Sequence, residues 1–291
     1  MIKFVETKLL KIGYEESGPA NGRPLLLIHG WPDSYHTWDK LLPSLHQAGF
    51  HTYAVSLRGF GPTQFLNKQT PRTGSFSALA QDILDFTDKL GLAQFAVIGH
   101  DWGARTAYTL SCLKGTKKIS HEVVLSVGWG DAGRLSLKQT QNYWYHWYMA
   151  TNMGEKLVRE QTYEFTRYIW NIWNPGFTIS DQVFNEAAIA FTNPDWASVT
   201  LHSYRVRWGF AEPDPAYADI DNRIKAAPEI DVPTLLIHGA SDSCNDPSTS
   251  EGTENLFTNR FKRILLPNVG HFPQRQEPEK VAEAAINWLN S

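Results

Sequence analysis

The sequence predicts an α/β protein with a mostly parallel central sheet, flanked by helices and interrupted by an inserted helical segment. Three observations point there. Short apolar runs rich in Val, Leu and Ile recur along the chain, as strands buried on both faces do. Helix-like stretches separate the early runs, and this alternation builds parallel sheets. From about 132 to 215 the alternation fails and the text turns helical, aromatic and polar, before resuming at Pro233.

The runs are PLLLIHG (24–30), HTYAVSL (51–57), FAVIGH (95–100), EVVLSVG (122–128), PTLLIHG (233–239) and KRILLPN (262–268), several ending at Gly or His. Before the third, SFSALAQDILDFTDKLG reads as a helix opened by a Ser N-cap and closed by Gly91. The expected organisation is a core in two parts, 1–131 and 216–291, with 132–215 as a helical cap. Two stretches of that cap, NYWYHWYMA and YIWNIW, hold nine Tyr, Trp and His rings. Most suit helix packing; the concentration also suits a lid over an apolar pocket.

Composition narrows the partners. The 291 residues are 42% hydrophobic and 20% charged, with a net charge of −3 and no basic block, so nucleic acid is not expected. No run approaches the roughly 18 apolar residues of a membrane span. The first residues carry acidic groups and no apolar core segment, so no secretory signal is expected. Cys112 and Cys244 are too few for a disulfide framework or a zinc site, which makes a reducing cytoplasm the default. The ten histidines include no His-Glu-x-x-His pair. Neither metal nor cofactor is expected.

In open parallel sheets, ligands bind beyond the carboxyl ends of the strands. The residues following the runs are therefore the informative ones. They are His29-Gly30-Trp31-Pro32, the turn LRGFGPT, Gly99-His100-Asp101-Trp102-Gly103, Ala240-Ser241-Asp242 and Val269-Gly270-His271-Phe272. An acid, a second acid and a histidine gather on one edge in the order Asp101, Asp242, His271. That is the order of nucleophile, acid and histidine in hydrolases that carry Gly-x-Ser-x-Gly at a strand-to-helix turn. Here the tip of the turn is Asp101. Asp131, after the EVVLSVGWG run, is a rival to Asp242.

Over essentially its full length the chain resembles the α/β-hydrolase superfamily. HGWP, RGFG, GHDWGA and GHFPQRQEP are similar to its epoxide hydrolase branch. The resemblance implies Asp101 as nucleophile, His271 as base and Asp242 as the acid orienting it. It places the oxyanion hole at the backbone N–H groups of Trp31 and Trp102. It also implies two proton-donating cap tyrosines, Tyr145 in YWYHWYM and Tyr204 in LHSYRVRWG. His146, Trp147 and Tyr148 are expected in the pocket. A carboxylate suits such a site because it is already charged at neutral pH and can displace a leaving group at saturated carbon.

The expected activity is opening of a small apolar or aryl epoxide by water through an ester on Asp101. Two alternatives remain. Haloalkane and fluoroacetate dehalogenases use an aspartate in the same frame; His146 and Trp147 match a halide pair, and Arg105 matches one of two carboxylate-clamping arginines. The other clamp position is Trp102, and Trp31 replaces the Asn common in haloalkane dehalogenases. The second alternative is a ligand-binding relative with little turnover. Arg58 is expected to be structural, and Arg205 and Arg207 to hold the cap to the core. A serine esterase is excluded, since no Gly-x-Ser-x-Gly occurs. The oligomeric state is left open.

Overall fold

The computed structural model describes residues 1–130 and 135–291. Nine strands form one sheet among them: β1 (Ile2–Glu6), β2 (Leu10–Ser17), β3 (Arg23–Ile28), β4 (Phe50–Val55), β5 (Gln64–Phe65), β6 (Phe95–His100), β7 (Ile119–Leu125), β8 (Thr234–Gly239) and β9 (Phe261–Leu266). The order is β1-β2-β4-β3-β6-β7-β8-β9, with β5 beside β2. From β4 to β9 every pairing is parallel; β1, β2 and β5 pair antiparallel.

The six apolar runs supply the six parallel strands. Their continuous hydrophobicity has a simple cause. Leu26 and Ile28 face one core cluster while Leu25 and Leu27 face the other, so both sides of β3 are buried. β6, β7 and β8 divide in the same way. The three antiparallel strands lack this signature, and reading for apolar runs misses them. β1 is Ile-Lys-Phe-Val-Glu with no buried residue, and β2 becomes half-buried after Tyr14.

The helix predicted after Gly74 spans Phe76–Lys89, with the Ser75 hydroxyl accepting from Ala78 N–H. Gly91 beyond it has φ +68°, which glycine adopts without a Cβ penalty. Among the described residues, everything between β7 and β8 that is regular is helical, from Leu137–Asn142 to Ala218–Ala226. One apolar cluster runs from the sheet face into these helices, joining Ile28 and Trp102 to Tyr145, Trp173 and Trp196. No helix is long and apolar enough to cross a membrane, among the described residues.

Arg58, from the RGFG turn, is 1% exposed. Its Nε and Nη2 donate to the two Asp82 oxygens at 2.6 and 2.7 Å, and further N–H groups reach Thr73 O and Tyr217 Oη. Removing one partner strands a buried charge, which typically costs about 3–5 kcal/mol, whereas replacing both with apolar groups costs much less. Arg58→Ala should therefore lower thermal stability sharply, and Arg58→Met combined with Asp82→Leu should recover much of the loss. Melting curves of the two variants check this; equal damage in both would remove the stranded-charge explanation.

Candidate active site

β6 ends at His100 and the next helix, Trp102–Lys114, begins two residues later. Asp101 makes the whole turn alone, at φ 52° and ψ −113°. A non-glycine residue held in such a conformation costs on the order of 1–3 kcal/mol. Two glycines make the reversal possible. A Cβ on Gly103 would lie 1.9 Å from Ile28 O, and one on Gly99 would lie 2.4 Å from Gly103 O. The turn projects Asp101 beyond the sheet edge, where the Trp31 N–H donates to its Oδ1 at 2.9 Å. Trp102 opens the helix, so its own N–H has no intrahelical acceptor.

The loop bearing Trp31 is fixed from both sides. His29 Nδ1–H donates to Gly30 O at 2.9 Å, and its Nε2 accepts from Leu57 N–H at 3.1 Å. Burial holds the His29 pKa down at about 4, so the ring stays neutral and serves both roles. Asp33 accepts from Arg275 Nε and Nη2 at 3.0 and 2.6 Å. That pair ties the loop after β3 to the segment after His271, which accounts for the arginine in GHFPQRQEP.

His271 Nδ1 lies 2.8 Å from Asp242 Oδ2; a carboxylate only accepts, so Nδ1 carries the proton. Nε2 faces Asp101 Oδ2 at 3.6 Å and has no hydrogen-bond partner. The His271 backbone is held by Trp173 O, which accepts its N–H at 3.2 Å, and by His100 Nε2 and Ser126 Oγ, which donate to its carbonyl. Asp242 Oδ1 accepts from Cys244 and Asn245 N–H at 2.7 and 3.0 Å. His238 Nε2 stands 3.3 Å from Oδ2.

Burial would raise both carboxyl pKa values, but other effects outweigh it. The charge of His271 and hydrogen bonds from His238 and His271 bring Asp242 down to about 2. Asp101 is lowered by the close approach and charge of His271 and by the Trp31 N–H. Burial pushes His271 the other way, and Asp242 and Asp101 more than reverse it, holding its pKa well above 6.5. The two carboxylates thus favour the protonated form of His271.

Two tyrosines close over this edge from separate helices. Tyr145, on Trp144–Met149, stacks on Trp31 with centroids 5.5 Å apart and planes 4° apart. Tyr204, on Trp196–Arg207, meets Trp31 at 5.1 Å and Trp102 at 5.6 Å. The two tyrosine rings are 5.5 Å apart, edge to face. Burial first, then the nearby negative charge of Asp101, raises both phenol pKa values well above 10. Both are protonated at neutral pH.

Not every expected residue joins them. Trp147 and Tyr148 are half-exposed; Trp147 Nε1 donates to Thr140 O at 3.2 Å, and the Tyr148 ring packs on Trp144. At about 100° per residue a six-residue helix that points Tyr145 and Met149 inward turns these two outward. His146 is buried but reaches Tyr204 rather than Asp101. Its ring stacks on Tyr143 at 4.1 Å and its Nδ1 accepts from Trp208 Nε1. Arg205 bonds Met149 O and Glu155, so it joins helices of the insertion to one another rather than to the core. Asp131 lies outside the described residues.

Sequence reasoning passed over Trp173, Trp196, His100, His238 and Cys244. The histidines had a signal, since each sits at the end of an apolar run. Cys244 had only its place two residues after Asp242. Its Sγ lies 3.5 Å from Tyr145 Oη. Asp101, Cys244 and His271 have ligand-type atoms within 4.8 Å of one another, a grouping made from the site's own reactive side chains.

A family model described as the alpha/beta hydrolase family matches residues 25–284. The chain is 21% identical to epoxide hydrolase A of Mycobacterium tuberculosis, covering 99% of this chain and 96% of that one. It is 24% identical to the soluble epoxide hydrolase of a Corynebacterium, covering 93% and 91%. It is also 24% identical to the bifunctional epoxide hydrolase 2 of Sus scrofa over 94% of this chain, but spans only 52% of that longer protein. Among solved structures, a Klebsiella pneumoniae protein provisionally named an epoxide hydrolase superposes with a TM-score of 0.94 at 33% identity, over 100% of this chain and 97% of the other. The family model leaves out only the first 24 and last 7 residues and takes in the turn that carries Asp101: the chain belongs to the α/β-hydrolase family.

Proposed function

We propose that the protein is an epoxide hydrolase that opens an epoxide to a vicinal diol through a covalent ester on Asp101, with residues 132–215 as its cap. The carrying observation is Asp101 at the strained turn, faced by His271 below and by two protonated tyrosines above. Similarity to epoxide hydrolases over more than nine-tenths of the chain supports the leaving group. The aromatic wall suits an apolar or aryl epoxide, with water as second substrate.

In the first step an Asp101 oxygen attacks a ring carbon in line and the carbon–oxygen bond breaks. The electron pair goes to the epoxide oxygen, which takes a proton through Tyr145 or Tyr204. In the second step His271, which releases its extra proton once the Asp101 charge is gone, takes a proton from water at Nε2, and that water attacks the ester carbonyl of Asp101. The developing oxyanion lies against the Trp31 and Trp102 N–H groups. Collapse restores the Asp101 carboxylate as His271 passes its proton to the departing alkoxide, the remaining proton of the water returns to the tyrosine, and the diol is freed. A halide-releasing reaction is less well served, because the Trp147 N–H is engaged by Thr140 O.

With enzyme in excess over epoxide in heavy-oxygen water, the first turnover should place label in the Asp101 carboxylate and not in the diol. Mass spectrometry of the peptide carrying Asp101 reads this. Label directly in the diol would mean water attacks the epoxide itself.

Ester formation removes the Asp101 charge, one of the two anions that keep His271 protonated. The hydrolytic step needs neutral His271 and should accelerate as pH rises through its pKa, whereas alkylation, which needs ionised Asp101 and protonated tyrosines, should stay flat across neutral pH. His271→Gln should accumulate the ester. Pre-steady-state traces with wild type and variant check both points, and normal turnover by His271→Gln would assign the base elsewhere.

Each of Tyr145→Phe and Tyr204→Phe should slow alkylation while leaving one donor. The double variant should lose at least about a hundredfold to a thousandfold. Alkylation by a styrene-type epoxide, followed in all four proteins, is the measurement; an unchanged rate in the double variant would remove the tyrosines from the mechanism.

A further inference from the structure

We propose that His238 is a positioning residue that sets the basicity of His271, by sharing with it one oxygen of Asp242. The runs PLLLIHG and PTLLIHG each reach a buried histidine just before their glycine, His29 and His238. His29 braces the Trp31 loop through backbone groups. His238 reaches the acid instead. Its Nε2 lies 3.0 Å from Asn245 O and 3.3 Å from Asp242 Oδ2. Both oxygens only accept, so Nε2 carries a proton. His271 Nδ1–H approaches the same Oδ2 at 2.8 Å. One carboxylate oxygen thus receives two imidazole N–H groups.

The far side of the His238 ring is fixed as well. Nδ1 lies 2.8 Å from Ser250 Oγ, and Arg263 Nε donates to that hydroxyl at 2.9 Å. Ser250 has one proton to give, to Nδ1 or to Pro247 O at 2.9 Å. Pro247 O already accepts from Arg263 Nη2 at 2.7 Å, whereas Nδ1 has no other donor among the described residues. The proton therefore belongs to Nδ1. A line of donors runs from Arg263 on β9 through Ser250 and His238 to Asp242.

Sharing matters because His271 faces opposed demands. Asp242 and Asp101 hold its pKa well above 6.5 against burial, yet a base must be neutral to take a proton from water. An N–H placed on Oδ2 takes up charge that would otherwise stabilise the imidazolium. The other titratable groups around His271 are Cys244, kept protonated by burial, and His100, 4.9 Å away with its pKa held at about 4 by burial. Around His238 they are Asp242 and, beyond Ser250, Arg263 with Glu251 at 3.4 Å.

The test compares three substitutions. His238→Gln keeps an N–H long enough to replace Nε2, His238→Asn reaches only toward Ser250, and His238→Phe has no donor. The pKa of His271 is read in the full chain by nitrogen NMR of isotope-labelled histidine, its signal identified by its loss in His271→Gln. It should rise by about one unit with His238→Asn and His238→Phe, and His238→Gln should return it toward the wild-type value. The rise of ester hydrolysis with pH should move upward by the same amount, while the alkylation rate holds. The Asn and Gln substitutions differ by one methylene, so their comparison stands even where the Phe substitution disturbs folding. A His271 pKa unchanged by His238→Asn, or shifted downward, or left displaced by His238→Gln, overturns the proposal. The kinetic arm rests on the two-step reaction proposed above, and the NMR arm does not. The expected shift in a protein that opens no epoxide would overturn the epoxide reading and leave the role of His238 standing.

Discussion

The contact on which the site depends is between two pieces of backbone. The helix Trp102–Lys114 approaches β3 so closely that Gly103 has no room for even a methyl group beside the Ile28 carbonyl. That approach leaves a single residue to connect β6 to the helix, and Asp101 is driven to positive φ to do it. Gly30 completes the arrangement, since a Cβ there would sit 2.4 Å from the Asp101 Cβ. With three small residues at one junction, the Trp31 N–H comes within hydrogen-bond distance of the Asp101 carboxylate. The strain is local, and the sheet packed on both faces holds it in place.

The histidine is positioned by a different means. No tight turn aims it; its neighbours are tied to distant parts of the chain. Arg275 reaches Asp33, and Gly270 N–H donates to Gln276 Oε1. Asn174 Oδ1 accepts from Phe272 N–H at 3.3 Å and from Gln276 Nε2 at 2.5 Å. Trp173 and Asn174 end the helix Thr162–Trp173 of the insertion. The insertion therefore does more than cover the reactive edge, because its backbone also helps set where His271 stands. Trp170 adds to this by donating its indole N–H to Pro32 O at 2.8 Å, next to the Trp31 loop.

What the sequence made legible follows from how each element is buried. β3, β4, β6, β7 and β8 could be read because burial on both faces demands apolar runs, and β9, an edge strand with no buried residue, because Ile264, Leu265 and Leu266 follow one another. β1 and β2 could not, because β1 is an edge strand with no buried residue and β2 beside it is only half-buried beyond Tyr14, which admits Lys3, Glu6, Glu15 and Glu16 among their residues. Asp101, Asp242 and His271 could be read because each follows a legible strand. Tyr145 was different: in Trp-Tyr-His-Trp-Tyr-Met nothing in composition or spacing singles it out from Tyr148, and only a family pattern does. The choice is made by which side of a short helix faces Trp31, a tertiary fact. Trp173 and Trp196 face Trp31 from elsewhere in the insertion, and no local pattern relates them to it.

The hydrogen bonds also distinguish the two carboxylates, which the order of residues alone does not. Asp242 is saturated. Two backbone N–H groups hold Oδ1, while His271 at 2.8 Å and His238 at 3.3 Å hold Oδ2. Asp101 has one backbone N–H on Oδ1 and, on Oδ2, only the 3.6 Å approach of His271. Every strong donor to a carboxylate withdraws charge that an attacking oxygen needs, so Asp101 is the more nucleophilic of the pair and Asp242 the better anchor. The other potential nucleophiles are silenced by burial, which raises the pKa values of the Cys244 thiol and of both tyrosines and keeps them protonated. At neutral pH the reactive edge thus offers one loosely held anion, Asp101, beneath two groups able to give up a proton. That asymmetry, rather than the presence of two acids and a histidine, is what supports the proposed attack at a saturated carbon bearing an oxygen leaving group.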